Sequence, residues 1–270
     1  FEFAGATTVS NAAQQSFVRL LGARIRNTGT WLMAAASRSG GGLDGAATGP
    51  LGGGVFENRG VFQVTSPNPV SVRVPFHNHG IARLGGARVS FERTSNGAGA
   101  YLAQPGGELV LENTTLDHGT AGSLDLAAGT LSGTGILQAM PATGPGARVI
   151  NRSVLRVGAP TGTLQVQASD GLELAATSTL VMTLGAPAWS RLESRAGAPG
   201  LRLGGTIRLE PDAAFVPAAG QSFEILAVTG GGTGDIAGTF ERLETPGLPP
   251  ELRIELEYQP RRVIARIAAQ

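Results

Sequence analysis

One nine-residue pattern recurs four times along the chain: "IRNTGTWLM" (25–33), "FENRGVFQV" (56–64), "FHNHGIARL" (76–84) and "VINRSVLRV" (149–157). The four align without gaps as apolar, any, Asn, any, Gly or Ser, any, apolar, any, apolar. The leading apolar residues are Ile25, Phe56, Phe76 and Val149, and the asparagines are Asn27, Asn58, Asn78 and Asn151. Trp31/Met33, Phe62/Val64, Ala82/Leu84 and Leu155/Val157 follow. A chain that returns to the same Asn and turn residue at fixed offsets from the same apolar positions is built from equivalent, stacked units. Asn58 and Asn78 are 20 residues apart; the longer intervals mark interrupted units.

Between these segments lie "GGELVLENTTL", "GSLDLAAGTLSGTGIL", "TGTLQVQ", "DGLELAATSTLVMTL" and "GLRLGGTIRLE". Each runs from Gly or Ser/Thr into apolar–polar–apolar alternation, which signals a short strand with one buried face. Glycine supplies corners with positive φ between them. Strands this short are not stable alone. Stacked in coils, they pair above and below and merge their apolar faces into one core. The expected fold is therefore all-β: a parallel β-solenoid (β-helix) over 1–205, closed by a C-terminal β-hairpin cap over 206–270. Asn27, Asn58, Asn78 and Asn151 are expected to form a side-chain amide ladder. An antiparallel sandwich also gives short strands, but it leaves the fixed Asn and Gly offsets unexplained. At about 20 residues and about 4.8 Å per coil, 200 residues would make a rod of roughly 50 Å.

Two stretches depart from this pattern. "NAAQQSFVRLLG" (11–22) reads as a short amphipathic helix with Asn11 as N-cap, covering the open first edge. Its rival reading is another strand, "SFVRL". The Gly-rich "SGGGLDGAATGPLGGG" (39–54) reads as a surface loop. It lacks the GK[ST] of a phosphate-binding loop. The last 60 residues carry longer strands, with Leu252, Ile254, Leu256 and Tyr258 alternating with Arg253, Glu255 and Glu257.

Composition narrows the function classes. Net charge is +1, which gives no broad field for nucleic acid or an anionic membrane. All basic residues are Arg, so Schiff-base lysine chemistry is excluded. The absence of cysteine excludes disulfides, zinc-thiolate sites and thiol nucleophiles. No apolar run reaches the roughly 18 residues of a membrane-spanning helix, so no membrane insertion is expected. The start, "FEFAGATTVS", has neither Met nor a charged leader and reads as a processed or trimmed end.

The closing region, "GTIRLEPDAAFVPAAGQSFEILAVTGGGTGDIAGTFERL", followed by "LPPELRIELEYQPRRVIARI", resembles that of bacterial autotransporter-type β-helical passengers and related repeat-rich surface proteins. The matching residues are Phe215, Pro217, Gly220, Phe223, Ile225, Leu226, Gly238 and Phe240, and "GTLSGTGIL" resembles the Gly-Thr-Leu units of the same group. The resemblance covers about 122–270 well and 1–120 only through the Asn–Gly units. It implies secretion, a bacterial cell surface or matrix, and a role in adhesion, aggregation or scaffolding. No translocator barrel lies within this chain.

Candidate chemistry is sparse. His77, His79 and His118 have the residue types of a three-His metal centre, with Asp117 of "LDHG" as an orienting carboxylate. The repeat alignment opposes this, because His77 and His79 fall where the sibling segments carry mostly polar, outward residues. No metal or other cofactor is expected. A polysaccharide lyase or hydrolase is the enzymatic alternative, and it needs clustered acids. Glu108, Glu112 and Asp125 near His118 are the place to look. "NTT" (113) and "NRS" (151) match glycosylation sequons. Trp189 and Tyr101 are candidate exposed contacts for glycans or partner chains, and Trp31 is expected in the core.

The function expected is that of a non-enzymatic, extracellular or cell-surface structural or adhesive protein. Its expected partners are surface glycans, matrix and other copies of itself, assembled as a fibre or layer. Self-association is placed at Phe1 and Phe3, where the "FEFAG" start would add as a strand to a neighbour's edge.

Overall fold

The computed structural model describes residues 1–9, 16–20, 23–34, 41–44, 54–85, 88–91, 108–117, 123–140, 146–158, 161–196, 200–230 and 234–270. These are all-β, and most pairings are parallel, an arrangement consistent with a β-helix-like fold. The strands fall into three series. In the first, Glu2–Phe3, Arg24–Asn27, Val55–Asn58 and Phe76–Asn78 pair in parallel, in that order. Leu124–Leu126, Val149–Asn151, Leu172–Leu174, Leu201–Leu203 and Ile236–Gly238 form a second parallel sheet of the same kind.

The second series runs through Ala6–Val9, Thr30–Met33, Val61–Val64 and Ile81–Gly85. The third runs through Ser16–Arg19, Gly41–Asp44, Val70–Arg73 and Arg88–Phe91. Two ten-residue strands, Glu108–Asp117 and Thr130–Ala139, belong to both series and join them into one sheet. Beyond them the series separate again. The second continues through Val154–Val157, Thr179–Leu184, Thr206–Pro211 and Arg242–Glu244. The third continues through Gly162–Ala168, Ser190–Ala196 and Ser222–Val228.

Alternation does what period-two patterning requires. In Val61–Val64, Phe62 and Val64 are buried while Val61 and Gln63 are not. The buried residues of all three series merge into one core. Its filling changes along the stack. Near the first strands it is aromatic: Phe3 meets Trp31 edge-on at 5.3 Å, and Trp31 meets Phe56 at 5.2 Å. Phe56 then stacks on Phe76 at 5.5 Å, and Phe62 lies edge-on to both. Past residue 124 the inward residues of the first series are mostly Leu, Val and Ile.

Apart from an isolated antiparallel bridge between Gly133 and Gly158, the antiparallel pairings among the described residues come at the end. Leu252–Gln259 pairs with Arg262–Ala269, and the latter also lies antiparallel to Ser222–Val228. Leu252, Ile254, Val263, Ala265 and Ile267 turn into the core. Parallel pairing thus runs on past 206, to Arg242–Glu244, and changes at Leu252.

Two expectations are corrected here. Ser16–Arg19 is a strand paired with Gly41–Asp44, not part of a helix; residues 10–15 and 21–22 lie outside the described residues. Gly41–Asp44 is itself a strand inside the stretch read as a loop, with Leu43 fully buried; residues 45–53 lie outside the described residues. Gly42 has a packing reason: a Cβ on it would stand 1.7 Å from the carbonyl oxygen of Ser71.

Candidate functional site

The recurring Asn–x–Gly segment is the corner where the first series turns into the second. Asn27, Asn58 and Asn78 share one register column and are fully buried. Asn27 Nδ2 donates to Asn58 Oδ1 at 2.7 Å, and Asn58 Nδ2 donates to Asn78 Oδ1 at 2.7 Å. Each amide also reaches a carbonyl at the start of the second series. Asn27 bonds Val61, Asn58 bonds Ile81 and Asn78 bonds Glu108. Burying a polar amide costs free energy unless it is hydrogen-bonded, and here the corner's own carbonyls are among the partners.

Asn151 departs from the expected ladder. It lies in a different sheet, at the equivalent position of the motif, where its register neighbours are Leu126 and Leu174. Its amide folds back instead: Nδ2 donates to the Ser153 carbonyl at 3.1 Å, and Oδ1 accepts from the Ser153 N–H at 3.4 Å. Closing the corner is therefore the local job of this Asn, and laddering is added where the neighbour is also Asn. A fully buried Asn151 is closed to glycan attachment.

The Gly of the motif is needed for space. A Cβ on Gly60 would lie 2.1 Å from the Gly29 carbonyl oxygen, and one on Gly80 would lie 2.2 Å from that of Gly60. These close contacts accompany a backbone ladder. His79 N–H donates to Asn58 O at 2.7 Å, and Ile81 N–H donates to Gly60 O at 2.9 Å. Positive φ is used at other glycines, such as Gly133, Gly135 and Gly162.

His77 and His79 flank this inward Asn. His77 is half-buried and His79 exposed. His77 stands in register with Glu57, which stands in register with Arg26, and Arg26 with Glu2. Glu57 is 8% exposed and clamped, accepting from Arg59 Nε at 2.6 Å and from Arg26 Nε at 3.3 Å. The Arg59 bond is the main reason its carboxyl sits below the usual carboxylate range; burial opposes the shift, and Arg26 assists it. Burial pushes the His77 imidazole down, helped by the charges of His79 and Arg24 and resisted by Glu57. His77 thus stands in register with a carboxylate that two guanidiniums already hold.

Among the described residues no group of three or more His, Asp and Glu side chains is placed to hold a metal ion. His118 and Tyr101 lie outside the described residues. The acids named for an enzymatic patch are each engaged separately. Glu108 accepts from Ser132, Glu112 pairs with Arg83 at 3.4 Å, and Asp125, on another sheet, pairs with Arg152 at 3.1 Å.

The closing residues fit together. Phe215 meets Phe223 edge-on at 5.7 Å, the Gly220 N–H donates to Ile267 O, and the Phe240 N–H donates to the Tyr258 hydroxyl. Pro217 is half-buried beside the exposed Val216. Trp189, expected as an exposed contact, instead packs on Phe223 and donates through Nε1 to Glu224 O at 3.0 Å. Trp31 is in the core as expected. Phe1 is 85% exposed, but Phe3 packs on Trp31, and Glu2–Phe3 already pairs with Arg24–Asn27. "FEFAG" therefore holds a strand already paired within the chain rather than a free arm.

The sequence reading missed the inter-strand ion pairs, such as Arg26–Glu57 and the Glu210 bridge to Arg156 and Arg208. The aligned repeats carried the first signal, since Arg26 and Glu57 hold the same motif position with opposite charge. No protein-family model matches the chain, and a search of curated proteins returns no match. Among the described residues no helix is long and apolar enough to cross a membrane.

Proposed function

We propose that the chain is a parallel β-solenoid with a C-terminal β-hairpin cap, acting as a non-enzymatic structural or adhesive protein of the bacterial surface or extracellular matrix. The observation that carries this reading is the corner ladder. Equivalent Asn and Gly residues of successive units stack in register, the arrangement expected of a coil built by repeating one unit. The engagement of Glu57, Glu112 and Asp125 in ion pairs supports a structural use of the acids.

Self-association belongs to the same proposal. The proposed contact is strand addition at the exposed Phe1, beside the pairing of Glu2–Phe3 with Arg24–Asn27. The other end turns in an antiparallel hairpin whose outer positions carry Arg253 and Glu255.

Small-angle scattering and light scattering test both parts. The expected result is an elongated particle whose mass rises with concentration and falls back when residues 1–8 are removed. A compact particle of unchanging mass would defeat the reading. Release of reducing or unsaturated ends from acidic or neutral polysaccharides, with or without Ca²⁺, would favour an enzyme instead.

A further inference from the structure

The strand Leu252–Gln259 pairs with Arg262–Ala269 and, among the described strands, with no other. Its second edge can be read from the backbone bonds. In Arg262–Ala269 and the turn before it, odd-numbered residues face Ser222–Val228. Ile267 O accepts from the Gly220 N–H, the Ile267 N–H donates to Gln221 O, and Arg261 O accepts from the Val228 N–H. Backbone groups alternate sides along a strand, so the even-numbered residues bond within the hairpin. Their register partners are Arg253, Glu255, Glu257 and Gln259. The N–H and C=O groups of Leu252, Ile254, Leu256 and Tyr258 therefore point to the outer edge. Pro249 O takes the Leu252 N–H there, and those of Ile254, Leu256 and Tyr258 have no backbone partner among the described residues. The strand holds neither a proline nor a bulge, two devices that blunt an edge.

The side chains make this edge complementary to itself. On the inner face Leu252 and Ile254 are buried, Leu256 is half-buried and Tyr258 is 37% exposed, so the apolar face runs out to solvent. On the outer face Arg253 and Glu255 are exposed and opposite in charge. Two copies meeting antiparallel about a two-fold axis must bring even-numbered residues opposite even-numbered ones, so the axis passes through a residue. An axis at Arg253, Glu255 or Glu257 sets that charge against itself. An axis at Leu256 sets Glu255 against Glu257 twice. An axis at Ile254 sets Arg253 against Glu255 twice, and Leu252 against Leu256 twice. Opposite charges facing across a strand pair stabilise it, and like charges do the reverse.

We propose that the outer edge of the closing hairpin binds a second copy of this chain, with residues 252–256 of the two copies paired antiparallel about an axis at Ile254. The two Ile254 residues exchange N–H and C=O bonds. Each Leu256 N–H donates to Leu252 O of the other copy, a carbonyl that otherwise accepts from Gln270 Nε2 at 3.5 Å. Each Leu256 side chain settles beside the other copy's Leu252. Further on, Tyr258 would meet Pro250, which has no N–H, so the pairing stops there and the dimer is weak. The contact is the same patch on both copies and closes at two. It is separate from the contact proposed at Phe1 and does not rest on it.

The full chain has no cysteine, which allows a register-specific crosslink. Residues facing each other at a non-hydrogen-bonded site of an antiparallel pair lie about 4.5 Å apart between Cα atoms, within disulfide reach. Under mild oxidation a mixture of Arg253→Cys and Glu255→Cys chains should link at least about tenfold faster than either variant alone. The mixture keeps one Arg253–Glu255 pair across the axis, and both positions are exposed, so matching melting curves are expected. Sedimentation velocity of the unsubstituted chain should show a dimer growing with concentration. Glu255→Arg should weaken it about tenfold or more, and the exchange Arg253→Glu/Glu255→Arg should restore it to within about threefold. Deleting residues 1–8, which tests the Phe1 contact, should leave this dimer in place. Four outcomes would overturn the proposal: a chain still monomeric at about 1 mM, Glu255→Cys linking alone as fast as the mixture, no recovery in the charge exchange, or loss of the dimer with residues 1–8.

Discussion

The first and last parts of the stack fill the same interior positions differently. The sheet from Glu2–Phe3 to Phe76–Asn78 carries Asn27, Asn58 and Asn78 in one register column, whereas the sheet from Leu124–Leu126 to Ile236–Gly238 carries Leu126, Asn151 and Leu174 in one. The early part sets a directional amide chain beside an edge-to-face aromatic column. The later part fills its short parallel sheet mostly with aliphatic side chains, keeps its aromatic contacts to Trp189, Phe215 and Phe223, and closes with a hairpin. Amides and aromatic edges impose geometry, whereas aliphatic burial mainly rewards area. The backbone stack thus accepts either filling, provided the corner's carbonyls are satisfied.

The largest expected effect tests whether the two parts are energetically separate. Phe56→Ala should cost about 3–5 kcal/mol, because it empties a fully buried site touching Trp31, Phe62 and Phe76. Trp31 and Trp189 are the only tryptophans and lie one in each part, so single-tryptophan variants report each locally. Denaturant titration should show the Trp31 transition moving more than that of Trp189. Equal shifts would mean one cooperative unit and would erase the distinction.

Next comes the corner. Gly60→Ala should cost about 2 kcal/mol or more, since the new methyl meets a backbone oxygen that cannot move alone. Chemical denaturation checks it, and an unchanged midpoint would mean the corner is loose. Smaller and more discriminating is the pair Asn58→Leu and Asn151→Leu. The first strands two laddered amides and should cost about 2 kcal/mol; the second joins existing leucines and should cost about 1 kcal/mol or less. Reversed costs would sink the ladder's energetic role.

The smallest effect is in pH. The folded His77 imidazole is lowered below its ordinary value, so between its folded and unfolded pKa values the unfolded chain binds more protons. Stability should therefore fall as pH drops below about 6.5, and His77→Asn should flatten that slope. Glu57 has the opposite charge type and a lowered pKa, so its contribution is present above the ordinary glutamate pKa. It is lost as pH falls through the lowered folded value. Thermal melts across pH 3–8 on His77→Asn and on Glu57→Gln would separate the two groups; an unaltered profile in His77→Asn would exclude the first.

The sequence made the corner legible because its signal is local. Phe76, Asn78 and Gly80 each have a fixed offset in one segment. It misplaced Asn151 because alignment identifies a position but not its neighbour in the stack, and Leu126 and Leu174 belong to no copy of the motif. The Gly41–Asp44 strand was hidden for a related reason: glycine reads as loop unless the approaching Ser71 carbonyl is known. The Glu57 clamp and the outer edge of the closing hairpin are set by register and by hairpin closure. Neither is visible along the chain.

One register relation reaches further. Asn78 lies directly on Asn58, and the residues after each, Arg59-Gly60 and His79-Gly80, make the same turn with the same backbone bonds. Residues 59–78 are therefore a cassette. Cut out, they would splice Asn58 onto His79-Gly80 and restore the identical junction, with Phe56 and Asn58 taking up the places of Phe76 and Asn78. Length in this molecule is a modular quantity, adjustable by whole inserts without redesigning the joint.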